Sequence, residues 1–159
     1  WSDICADCGF TYVDPRHPVE AILSSIRDST LVVTEALHGA VVADALRIPW
    51  VSVRTNDVVL EFKWLDWCES LRLKYDPIAV SMPWNGSSKS LVDKMRKGVK
   101  RQLIGMQLRA ASRRDGQLSA DHIHQEVSDR LYERVEDFKF DWQSGRVVKW
   151  SIAQFAQTH

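Results

Sequence analysis

The chain has 159 residues, 45% hydrophobic and 26% charged, ordinary values for a soluble globular protein and enough length for one domain with a real core. Its basic and acidic side chains cancel to a formal net charge of zero, which excludes the basic surplus expected of a general nucleic-acid binder. No apolar run approaches the ~20 residues of a membrane span, and the amino end carries neither the basic segment nor the apolar core of a secretory signal.

The chain opens on Trp1 rather than Met, which reads as a piece of a longer protein. Cys5-Ala-Asp-Cys8 follows. A zinc site needs four ligands and a redox pair needs a strand-helix setting. Cys68 and the scattered histidines offer no matching second pair, so no metal site is expected. Three cysteines in a chain without secretory features suit a reducing cytoplasm. Gly9-Phe-Thr-Tyr-Val13 reads as a strand closed by Asp14-Pro15, since the residue before proline is pushed to extended geometry. His17-Pro18 opens a helix whose Val19, Ile22, Leu23 and Ile26 share one face, and Asp28-Ser29 closes it.

The stretch from Thr30 to Val53 is the centre of the sequence. Leu31 to Val33 suits a buried parallel strand, Thr34 to Leu37 a turn, and His38-Gly39 the start of a helix running to Leu46. Pro49 stops that helix, and Trp50 to Val53 resumes a strand. The first fifty-odd residues thus read β-α-β-α-β, a parallel sheet flanked by helices. A polar turn at the carboxyl end of a parallel strand is where ligands bind in open α/β sheets. Free N–H groups and the positive end of the helix dipole favour an anion there. Gly39 lets backbone approach closely, and His38 can donate to an oxyanion or move a proton near neutral pH.

Arg54-Thr-Asn-Asp57 forms a polar loop at the next strand's carboxyl end, where Arg54 suits a phosphate or carboxylate. Glu61 to Leu71 reads as a helix with Phe62, Leu65, Cys68 and Leu71 facing the sheet and with Lys63 and Asp66 spaced as a charge pair. Tyr75 to Val80 is a short strand or extended segment. Trp84 to Lys89 is a loop, and the subregion changes here: residues 1–84 form an α/β domain and 85–159 a helical extension. Ser90 caps a helix from Leu91 to about Arg114, whose Lys94, Arg96, Lys97, Lys100 and Arg101 form a solvated basic face or a surface for an anionic membrane or acidic substrate. Asp115-Gly116 turns the chain, and Ser119 caps a last helix with Ile123, Val127, Leu131 and Val135 on one side. His122 and His124, two apart, do not share a face. Trp142, Trp150 and Phe155 suggest an end that packs on something.

The string Val32-Val-Thr-Glu-Ala-Leu-His-Gly-Ala-Val-Val-Ala-Asp-Ala-Leu-Arg-Ile-Pro-Trp50, with Asp14-Pro15 before it and Phe62-Lys-Trp-Leu-Asp66 after it, resembles the carboxyl-terminal half of the polysaccharide pyruvyl transferases. The likeness is greatest to the ketal-forming enzymes of succinoglycan-type exopolysaccharide synthesis, and it covers residues 9 to 71. The resemblance implies a Rossmann-like sheet forming the carboxyl-terminal domain of a GT-B-like fold, followed by long helices, with an absent amino-terminal domain completing the site. It implies transfer of pyruvate from phosphoenolpyruvate onto two hydroxyls of a lipid-linked oligosaccharide as a cyclic ketal, with no cofactor or metal. The setting it implies is cytoplasmic, with peripheral contact at the inner membrane face.

In that reading His38 contacts phosphoenolpyruvate as general acid, phosphate donor or both, and Glu35 is a second candidate for proton work or acceptor contact. Leu37, Gly39, Arg54 and Lys63 complete the binding residues. A GT-B-like glycosyltransferase using a nucleotide sugar, and a non-catalytic module docking on a membrane or partner, are the alternatives.

Overall fold

Two short β-branched runs, paired in parallel, form the centre of the structure, a computed structural model that describes residues 1–56, 61–83 and 90–145. The elements run α1 (Ser2–Cys8), α2 (Val19–Arg27), β1 (Val32–Thr34), α3 (Leu37–Ala45), β2 (Trp50–Arg54), α4 (Glu61–Ser70), β3 (Ile78–Ala79), α5 (Leu91–Ser112) and α6 (Asp121–Gln143). The sheet has the order β1-β2-β3, parallel throughout. Val32 lies opposite Trp50, Thr34 opposite Ser52, and Val53 opposite Ile78.

Side chains alternate across a strand, and here each set meets helices. On one face Val51, Val53 and Val80 pack with Ile4 of α1 and Ile104, Leu108 and Ala111 of α5. On the other, Trp50 packs with Ile26 of α2, Ala40 and Ala43 of α3, and Trp64 and Cys68 of α4. The protein is therefore α/β, with a small parallel sheet between helical layers. The compact unit holding the sheet runs from Trp1 to Ala120 and takes in α5, which with α1 covers one face of the sheet. A second unit begins at Asp121. Its α6 is polar along most of its length, with internal pairs such as Lys139–Glu136, and carries Leu131, Val135, Phe138 and Trp142 exposed.

Local signals explain the element boundaries. Pro18 precedes α2, its fixed φ suited to a helix entrance. Arg47 adopts a left-handed φ of 60° just after α3, turning the chain towards Pro49 and β2. Its guanidinium donates to the Ser119 hydroxyl at 3.0 Å and the Ser119 carbonyl at 2.7 Å, which holds that turn in place. Ser90 caps α5 by accepting from the Asp93 N–H at 3.0 Å.

Four expectations from the sequence are corrected. Residues Gly9 to Val13 form no strand. Instead the preceding residues form α1, which Gly9 ends at φ 79°, so the sheet starts with β1. The aromatic, β-branched composition of that run has no neighbouring strand to pair with. On α4 the buried side is Trp64 and Cys68 with half-buried Trp67, while Phe62 and Leu65 are exposed. Both sets have helical spacing, and the indoles win because they complete an aromatic cluster. The rings of Trp50 and Trp67 are centred 5.2 Å apart, and those of Trp64 and Tyr75 stack at 5.1 Å. No ion pair joins Lys63 to Asp66 among the described residues. Ser119 does not cap a helix: its N–H and hydroxyl both donate to buried Asp44. The expected loop at Trp84–Lys89, together with Asp57, Trp150 and Phe155, lies outside the described residues.

Candidate functional site

Thr34 ends β1 and folds the chain back at once. Its hydroxyl donates to the Ala36 carbonyl at 3.0 Å and accepts from the Ala36 N–H at 3.1 Å, closing a tight side-chain turn. Ala36 is the N-cap of α3 and gives it no side-chain acceptor. The first N–H groups of α3, at Leu37 and His38, therefore have no partner within the helix and point outward from its positive end. His38 is exposed at this position, and its ring makes no hydrogen bond among the described residues. Leu37 turns its side chain into the aromatic core, leaving only its backbone to the turn.

Gly39 is used by packing. A β-carbon there would lie 2.6 Å from the Thr34 hydroxyl oxygen and 3.2 Å from the Thr34 β-carbon, so only glycine lets α3 begin this close to the end of β1. Glu35 is half-buried and turned towards β2. Its carboxylate accepts from the Thr55 N–H at 2.6 Å and from the Thr55 hydroxyl at 2.8 Å. It thereby ties the carboxyl ends of β1 and β2 together. Arg54 pairs with Glu61 at the start of α4, Nη1 to Oε1 2.6 Å. Lys63 lies two residues further on, exposed.

Two buried hydroxyls, those of Ser52 and Tyr75, have no hydrogen-bond partner among the described residues. Ser52 neighbours Thr34 across the β1–β2 ladder. Tyr75 leads into β3, and its phenol is raised above the usual range, first by burial, then by Glu61, against which Arg54 acts, with Glu35 adding a smaller push. Tyr75 therefore shares the electrostatic field of the Glu35, Arg54 and Glu61 cluster. An orphaned buried hydroxyl is costly unless something uses it. Neither residue stands out in the sequence, because each acquires its setting from partners distant along the chain.

Of the residues singled out by sequence, β1, β2 and their loops bring Glu35, Leu37, His38, Gly39 and Arg54 to the carboxyl edge of the sheet. Glu35 and Arg54 are engaged by Thr55 and Glu61, and Lys63 makes no contact that ties it to His38 or Glu35. The edge offers the first N–H groups of α3, an imidazole and an arginine, a set of donors suited to a small anion with oxygen atoms.

Buried Asp44, from the same string, serves the scaffold. It accepts from the Trp50 indole at 3.2 Å and from Ser119, with Arg47 4.0 Å away. The Cys68 thiol is pushed up to about 11 by burial and the neighbouring Asp44, which makes it inert.

No family model matches the chain, and no solved structure matches it. Over 77 residues it is 42% identical to the succinoglycan biosynthesis protein ExoV of Rhizobium meliloti (strain 1021), a match that takes in 48% of this chain. The chain covers 24% of that relative's length. Over that stretch it is related to a protein of succinoglycan biosynthesis.

Proposed function

We propose that this chain carries the donor-binding part of a polysaccharide pyruvyl transferase, which moves pyruvate from phosphoenolpyruvate onto two hydroxyls of one sugar as a cyclic ketal and releases phosphate. In this reading the domain is one half of a GT-B-like enzyme working in the cytoplasm on a lipid-linked oligosaccharide, and a further domain supplies the rest of the cleft. One observation carries it: an exposed histidine on the uncapped start of α3, at the carboxyl edge of a parallel sheet, in a chain similar to a succinoglycan biosynthesis protein.

The chemistry follows from the donors. The Leu37 and His38 N–H groups hold a phosphate or carboxylate oxygen, aided by the helix dipole. The protonated His38 imidazole gives its proton to the methylene carbon of the donor or hydrogen-bonds its phosphate. One sugar hydroxyl adds to the resulting oxocarbenium-like centre while a base takes its proton, and the second hydroxyl, losing its own proton, closes the ketal as the C–O bond to phosphate breaks. Arg54 adds positive charge at the same edge. Glu35 holds the two strand ends in register through Thr55, with proton transfer or acceptor contact as its second role.

Calorimetry with phosphoenolpyruvate on the chain and on His38→Ala, with a nucleotide sugar as the competing ligand, tests the reading. Saturable phosphoenolpyruvate binding, weakened tenfold or more by the substitution, supports it. Binding of the nucleotide sugar in its place assigns the site to a glycosyl donor.

A further inference from the structure

The outer side of α5 takes no part in the site. Its inner side, Ile104, Leu108 and Ala111, is buried on the sheet. Val92, Met95, Val99, Leu103 and Met106 are between 44% and 66% exposed. At 3.6 residues per turn these five fall on one stripe, on the side of the helix away from Ile104 and Leu108, over a length of about 21 Å. Arg96 and Lys100 border the stripe along one side, while Lys94 and Lys97 project from the opposite side of the same first turns. None of these four cations has an ion pair among the described residues. Arg101 is different, because its guanidinium is spent on Asp7 and on the Asp3 carbonyl of α1.

We infer that this face of α5 docks on an anionic lipid surface. An apolar stripe bordered by lysine and arginine is the pattern of a helix lying in the plane of a bilayer interface, the apolar side chains entering the acyl boundary and the cations reaching the head groups. Self-pairing of the same face is disfavoured by its charge, since two copies of α5 laid together would bring their unpaired cations into contact. The stripe is also convex and stands on one helix, which suits a deformable surface. No helix among the described residues is long and apolar enough to cross a membrane, so the contact is peripheral.

The test is cosedimentation of the full chain with phosphatidylcholine vesicles, with and without phosphatidylglycerol, alongside Arg96→Glu/Lys100→Glu and Met95→Ser/Val99→Ser. Met95, Arg96 and Val99 are exposed and Lys100 is half-buried, and thermal melting confirms that each variant folds. The expected result is binding that requires phosphatidylglycerol, falls with added salt, and weakens on the order of a hundredfold on charge reversal and clearly on stripe substitution. Binding indifferent to phosphatidylglycerol or to charge reversal overturns the inference, as does no binding at all. So does a dimer, seen by light scattering, that the stripe variant abolishes while vesicle binding stays intact, since the face is then a contact between copies. Should the charge-reversed chain fail to fold, the salt titration of the native chain decides alone. The outcome is independent of phosphoenolpyruvate binding.

Discussion

The carboxylate of Asp44 grips Ser119 twice, accepting its backbone N–H at 2.9 Å and its hydroxyl at 2.5 Å across 75 positions of sequence. The same carboxylate receives the Trp50 indole, so one buried group fastens α3, β2 and the segment after α5. Asp44→Ala leaves three donors without an acceptor in a dry interior. The expected loss is about 3 kcal/mol or more, read as the urea midpoint at constant slope. Asp44→Asn, which keeps one carbonyl acceptor, loses clearly less.

Gly39 and Thr34 define how closely α3 approaches β1. Gly39→Ala places a β-carbon against the Thr34 side chain and is expected to cost about 1–3 kcal/mol, as overpacking does. Thr34→Ala in the same chain removes the nearest atom and returns part of that loss. A double-mutant cycle by chemical denaturation measures the coupling, and strict additivity would sink the packing explanation.

Glu35 and Thr55 form the tie between strand ends. If the carboxylate serves as a strut, Glu35→Ala and Thr55→Val destabilise by similar amounts, about 1.5–3 kcal/mol for a hydrogen-bonded charge, while Glu35→Gln keeps most of the stability. Thermal melts of the three variants give the comparison. Loss of phosphoenolpyruvate binding in Glu35→Gln with binding kept in Thr55→Val assigns the carboxylate to the ligand instead.

The thiols separate by setting. Cys5 and Cys8 are half-buried and free, whereas Cys68 is buried and its thiol is raised to about 11. Alkylation at mild alkaline pH is expected to modify Cys5 and Cys8 while Cys68 reacts only on unfolding, which mass spectrometry of the labelled chain reads directly. The same shift sets a pH window. The unfolded thiol loses its proton near its ordinary value of 9.0, and the folded one near 11. Stability from this group is therefore whole below about 9 and falls as pH climbs towards 11. Burial raises the Cys5 thiol in the same direction. Cys68→Ala flattens part of the alkaline decline in melting temperature, since the Cys5 and Tyr75 groups, raised in the same direction, remain.

The parts of the fold carried by neighbouring residues were legible in the sequence. Pro18, the apolar spacing of α2, the β-branched run of β1, Pro49 and the serine cap of α5 all act within a few positions, and the elements lie where those signals place them. The parts that depend on partners elsewhere were not. α1 is fixed by Ile4 packing under α5, a contact invisible in a run that suggests only its two cysteines. The face of α4 was decided by Trp50 and Tyr75, which choose the indoles over Phe62 and Leu65. At the candidate site, the turn and its residue types could be read, but Gly39 against Thr34, Glu35 on Thr55 and the orphaned Tyr75 hydroxyl arise only once the strands are side by side.

The backbone bridge between Trp50 and Gln117, where each N–H donates to the other's carbonyl, gives the molecule a timetable. During synthesis, β1, α3 and β2 leave the ribosome while α5 and Gln117 have yet to be made. One side of the sheet then stays bare, with Val51 and Val53 open to water and to other nascent chains. The sheet-bearing unit closes only once Gln117 has emerged, so the aggregation-prone interval is the time taken to translate the stretch from the end of β2 to Gln117.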